Sequence, residues 1–303
     1  MSASTLLSSP MTLFRTLIAA LALLLATATA ADPLPQEAAR IRDALAREDL
    51  EAAIEASERA MTDARDARVL LWAGRAFGLQ ALKASLLTKL KWAGRTREAW
   101  EKAVELDPNG LEARFDLLQY YLQAPSIAGG GRDKAEAQVR RIAALDPAQG
   151  KLAESYLALA DGDAQRALSL QREAYAMDAD APRIALALAM SLQRDARWEA
   201  VHVLWSERLA RRPGDALARY QLGRLAAVRG ENLEEGLALL DAFIAAGEVP
   251  EGLSLAAAHW RRAQILEKLG RIDEARAALA RATADPAVRR LAEADIERLG
   301  RPG

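Results

Sequence analysis

The chain carries few residues able to do chemistry, and their spacing decides which chemistry is open to them. It has no cysteine and two histidines in 303 residues. Thiol nucleophiles, disulfides and Cys-based metal sites are therefore excluded. His202 and His259 stand far apart with no His or Cys companion. A metal site needs three or four converging ligands, so both imidazoles read as packing residues. Carboxylates pair at Glu234–Glu235, Asp178 and Asp180, and Glu293 and Asp295. These pairs fall on turns or charged faces and read as solvated. No Ser–His–Asp arrangement can be built from two histidines lodged in helical stretches, so no enzyme, cofactor or metal is expected. The one glycine-rich run is Gly129-Gly130-Gly131-Arg132-Asp133-Lys134. Free N–H groups ahead of a helix attract anions. A nucleotide loop, however, follows a strand and ends Gly-Lys-Ser/Thr, and neither condition holds here. What remains for Gly129, Gly130, Gly131 and Arg132 is a contact loop for a protein partner, or a plain spacer.

The elements that must hold these residues are helical. Hydrophobic residues make up 51% of the chain, mostly Ala and Leu, which favour helix. The net charge of -1 exerts no general pull toward nucleic acid or an anionic membrane. At the N-terminus, Arg15 precedes an apolar run from Thr16 to Ala26, and Ala28-Thr29-Ala30 supplies a small-x-small cleavage site. That run is too short to span a bilayer and has the proportions of a leader, so residues 1–30 are expected to be removed. The mature chain would start at Ala31 and keep no stable insertion in a membrane. Ala- and Arg-rich usage with a short leader points to a bacterial protein exported to the periplasm or beyond it.

The remainder repeats with a period of about 34 residues. In the last unit, Ala263, Gly270, Ala275, Leu279 and Ala282 are followed by Asp285-Pro286. A small residue, a turn glycine, a second small residue and a closing Asp-Pro recur at matching offsets upstream. Leu117, Leu118, Tyr121 and Ala135 precede Asp146-Pro147, and Leu222-Gly223, Gly230, Gly236 and Leu240 form another unit. The pattern resembles the tetratricopeptide repeat, a helix–turn–helix unit that stacks into a solenoid. The resemblance covers nearly all of residues 31–303. It implies an all-α fold: a right-handed α-solenoid of about seven hairpins with a C-terminal capping helix. Small residues at positions 8 and 20 of each unit would let its two helices approach closely. The cap is expected at Ala287–Leu299, with Val288, Leu291, Ile296 and Leu299 facing inward.

Two stretches depart from the pattern. Residues 78–94 do not fit the template of their unit. In the third unit, Tyr121 and Ala135 stand farther apart than positions 11 and 20 allow, and the surplus falls at 123–132. Pro125 stops the helix and the glycines cannot sit comfortably in one, so a flexible loop is expected there.

In such repeats, positions 5 and 9 of the first helix line the concave groove. The resemblance therefore assigns Phe115, Gln119, Tyr220, Arg224, Trp260 and Gln264 to that groove. Aromatic rings beside Arg or Gln suit capture of a peptide, since rings bury area at low entropy cost. The implied function is a non-catalytic scaffold or assembly factor binding a protein or peptide. The alternative is a structural or self-associating module acting through its edges or ends.

Overall fold

The computed structural model describes residues 33–250 and 252–300. The leader-like segment at 1–30 lies outside them. The described chain forms hairpin upon hairpin: α1 (Gln36–Ala46) with α2 (Leu50–Asp63), α3 (Ala67–Lys83) with α4 (Leu86–Leu106), and α5 (Leu111–Gln123) with α6 (Arg132–Leu145). Next come α7 (Pro147–Ala160) with α8 (Ala164–Met177), α9 (Pro182–Arg194) with α10 (Trp198–Arg211), α11 (Ala216–Arg229) with α12 (Leu233–Ala246), and α13 (Leu255–Lys268) with α14 (Ile272–Ala282). A single helix, α15 (Pro286–Gly300), closes the array. No strand occurs among the described residues.

The repeated Asp and Gly residues place the breaks. Asp49, Asp66, Asp146, Asp163 and Asp215 each accept a hydrogen bond from a first-turn N–H of the helix they precede. Each satisfies one of the donors that a helix start leaves free. Gly162 and Gly270 turn the chain between paired helices at φ 79° and 77°, a backbone state costly for residues with a Cβ.

Small residues set how closely the helices cross. A Cβ on Gly223 would lie 2.4 Å from Leu240 Cγ and 3.0 Å from the Gly236 carbonyl oxygen. In the second hairpin, a Cβ on Gly74 would lie 2.2 Å from Trp100 Nε1, which donates to the Leu71 carbonyl at 3.1 Å. Alanine takes the same part elsewhere: Ala263 and Ala275 are buried in the seventh hairpin. The core continues from Ala38 to Ala292 in successive clusters, all formed by described residues. A chain beginning at Ala31 contains all of these described core residues.

The two departures from the repeat lie against each other. Helices α3 and α4 have 17 and 21 residues, whereas those of the other hairpins have 11 to 14. The surplus extends the second hairpin at its tip, around Ala84 and Ser85. Against the side of α4 lies the insertion of the third hairpin. It is a hydrogen-bonded turn. Ser126–Ala128 form a 3-10 turn, and the N–H groups of Gly129, Gly130 and Gly131 donate to Ser126, Pro125 and Tyr121. The Tyr120 hydroxyl bridges the two pieces, sharing its one proton between the carbonyl oxygens of Ala93 at 2.9 Å and Ala128 at 2.7 Å. Gly130 is required by contact: its Cβ would fall 1.8 Å from the Ala124 carbonyl oxygen.

The cap also differs in phase. Helix α15 buries Val288 and Ala292 and leaves Leu291 and Ile296 exposed. The small Ala292 admits close approach, and Asp295 turns inward because it accepts the Trp260 indole N–H at 2.8 Å. Those two contacts fix a stripe through 288, 292, 295 and 299, away from Leu291 and Ile296.

Candidate binding surfaces

From α1 to α13 each odd-numbered helix is the first of its hairpin, and the single helix α15 continues that series. These helices also pack on one another, α1 on α3, α5 on α7, α7 on α9, α11 on α13 and α13 on α15. This closer layer is the inner face of the stack, and the even-numbered helices form the outer one. The stack is an α-solenoid of helical hairpins.

The inner face of the solenoid is a ladder of aromatic, cationic and amide side chains that join consecutive hairpins. The expected groove residues are rungs of it. Phe115 is fully buried. Its ring meets Tyr156 of α7 edge-on at 5.8 Å, and the Arg183 guanidinium of α9 lies 4.5 Å from its centroid. Beside it, Arg75 of α3 donates to Asp116 of α5 at 3.0 Å. Gln119 and Tyr220 are buried, and the Tyr220 ring lies 5.5 Å from that of Phe243 in α12. These three side chains are engaged within the chain and present almost no surface to a partner.

The other three are half-buried. Arg224 donates to Gln193 of α9 at 3.3 Å. Trp260 lies under the Arg261 guanidinium at 4.1 Å, and Arg261 donates to Gln264 at 2.9 Å. Burial pushes the Arg261 pKa down from its ordinary value. Arg224, Trp260 and Gln264 thus form one patch across α11 and α13. Phe115 and Gln119 belong to a separate cluster on α5. In the loop, Arg132 is committed to a bidentate contact with Asp161 and a bond to Glu136 at 2.9 Å. Those contacts raise its pKa. Gly130 is buried and Gly129 and Gly131 are half-buried, so this run presents little backbone.

Repeat spacing did not reveal a second surface, on the outer side. Between α8 and α10, with α9 as the floor, runs an open groove of about 850 Å³. Tyr175, Leu188, Leu192, Trp198, Val203 and Leu204 line it. Charged side chains of both signs rim it, including Arg229, whose guanidinium lies 5.3 Å from the Trp198 ring. Trp198 directly follows the turn Asp195-Ala196-Arg197, and an aromatic residue at that place was the available clue. Among the described residues, no group of three or more His, Asp and Glu side chains is placed to hold a metal ion. No described helix is long and apolar enough to cross a membrane.

No protein-family model matches the chain, and no curated protein is significantly similar to it in sequence. Among solved structures, it is similar to a tetratricopeptide repeat protein from Parabacteroides merdae, with a TM-score of 0.47 and 12% identity over 88% of this chain and 98% of the other. It is similar to PilW, a widely conserved type IV pilus biogenesis factor, with a TM-score of 0.44 and 17% identity over 70% and 92% of the two chains. It is also similar to PilF of Pseudomonas aeruginosa, with a TM-score of 0.43 and 13% identity over 73% and 97%. At these TM-scores the likenesses carry no argument about function.

Proposed function

We propose that the solenoid is a non-catalytic scaffold that binds a protein or peptide partner. The outer groove between α8 and α10 supports this reading best. It is open, its exposed apolar surface comes from Val203 with half-buried aromatic residues at Tyr175 and Trp198, and Leu188 and Leu192 of α9 close its floor. An amphipathic segment laid in it would bury its apolar side and meet charges of both signs at the rim. The leader-like N-terminus supports a place of work in the bacterial envelope. A second reading keeps the partner on the inner face. It rests on the half-buried patch of Arg224, Trp260 and Gln264.

Crosslinked capture from envelope extract separates these readings, with residues 31–303 as bait beside Trp198→Ala and Trp260→Ala. Loss of the partner with Trp198→Ala alone, by about 2 kcal/mol for a hot-spot ring, supports the outer groove. Loss with Trp260→Ala alone moves the site to the inner face. A partner held equally by all three baits, each folded by circular dichroism, counts against both surfaces. In that case edge-to-edge self-association, read by sedimentation at rising concentration, is the remaining reading.

A further inference from the structure

The extended tip of the second hairpin has a composition unlike the rest of the molecule. From Ala67 to Arg97 the chain contains no Asp or Glu. Three of its seven lysines, Lys83, Lys89 and Lys91, fall within this tip. No carboxylate among the described residues lies within salt-bridge distance of any of the three. Arg95, nearer the body of the solenoid, is by contrast paired to Glu58 and Glu98. Apolar side chains stand among these lysines. Leu87 is 94% exposed and Leu90 45%. Trp92 follows, half-buried, with the Lys91 ammonium 5.1 Å from its ring. On the turn packed against α4, Ile127 is 79% exposed on the same edge. The surplus length of α3 and α4 carries the tip about 5–10 Å past a hairpin of ordinary length, at 1.5 Å per residue.

We propose that this tip docks the solenoid onto an anionic lipid bilayer surface. The arrangement is a protruding hairpin end: Leu87 and Leu90 are exposed, the lysines stand beside them, and Trp92, stacked on Phe77 at 5.9 Å, lies just behind. A protein partner would need a cavity to receive Leu87, whereas a bilayer interface needs none. Aliphatic side chains enter the acyl boundary, tryptophan settles at headgroup depth, and lysines extend their ammonium groups to the phosphates. Charge complementarity assigns the anionic lipid: the whole hairpin tip offers positive charge without a single acidic side chain to cancel it.

The test is vesicle flotation of residues 31–303, using phosphatidylcholine with and without phosphatidylglycerol. The wild-type chain is expected to float with the anionic vesicles only, and less so as salt rises. The Lys83→Gln/Lys89→Gln/Lys91→Gln variant should lower the partition coefficient by roughly a hundredfold, at about a factor of five per lysine. Leu87→Ser/Leu90→Ser should lower it by about tenfold or more. All of these positions except Lys89 are exposed, so melting temperatures should not change. Failure of the wild-type chain to float with anionic vesicles overturns the proposal, as does flotation that neither variant weakens. Equal flotation with phosphatidylcholine alone overturns the assignment of anionic lipid. Absence of flotation together with lysine-dependent retention on polyglutamate replaces the bilayer with an acidic protein partner.

Discussion

Arg208 and Asp215 form an ion pair at 2.8 Å with side chains only 2% and 6% exposed. Arg208 also donates to the Ala179 carbonyl at 3.1 Å, and Asp215 caps α11 through the Ala218 N–H. One guanidinium thus ties the turn before α9 to the turn before α11. Asp215→Ala should cost about 3–5 kcal/mol, because it strands a buried cation and removes a cap. Denaturant unfolding of the two chains checks this. His259 sets a pH dependence. Burial, with Arg281 and Arg262 nearby, holds its pKa below the ordinary imidazole value, and its Nδ1 is buried without a partner. The unfolded chain therefore takes up this proton first as pH falls. The stability associated with His259 is complete above about pH 6.5 and declines as pH drops from there toward the depressed value. The melting temperature should fall as pH drops below about 6.5, and His259→Gln should flatten that slope. At this scale the sequence told which residues were small and which were large. It did not tell which rings face inward. Phe115 occupies a groove position of the repeat, yet Tyr156 and Arg183 from the next two hairpins close over it. The pitch between hairpins decides that, and no single repeat encodes pitch.

The hairpins themselves were legible, because turn glycines, capping aspartates and paired small residues each impose a local geometry that needs no distant partner. The misfit at 78–94 was legible as a misfit only. Its cause is ten or so extra residues shared between α3 and α4, which keep helical periodicity and so leave no punctuation in the sequence. The glycine run read as flexible because glycine in isolation is permissive. In the folded chain, neighbouring backbone requires glycine at Gly130, and the Tyr120 hydroxyl fastens the turn to α4. Tyr120→Phe should cost about 1 kcal/mol. It should speed amide exchange at Gly129–Gly131 while leaving the rest of α5 protected, which hydrogen-exchange mass spectrometry would resolve. In α15, apolar periodicity alone chose Leu291 and Ile296 as inward residues. The polar bond from Trp260 to Asp295 fixed another phase, and a hydrophobic pattern cannot carry that information.

Over the whole molecule, the net charge of -1 averages away the most uneven feature of the chain, the acid-free stretch at 67–97. Whole-chain charge describes solubility, and a docking point has to be sought segment by segment. The outer groove bears on the whole molecule in another way. It opens where α10 has comparatively little packing on its neighbours α9 and α11, while α3 on α4, α7 on α8 and α13 on α14 are held along their lengths. A stack joined only between neighbours behaves as springs in series, and the softest one takes most of the strain. Pulled by its two ends in an optical trap, the solenoid should first lengthen across the fifth hairpin, near Trp198. A ligand seated in that groove would then act as a splint, raising the force of the first extension without touching either end.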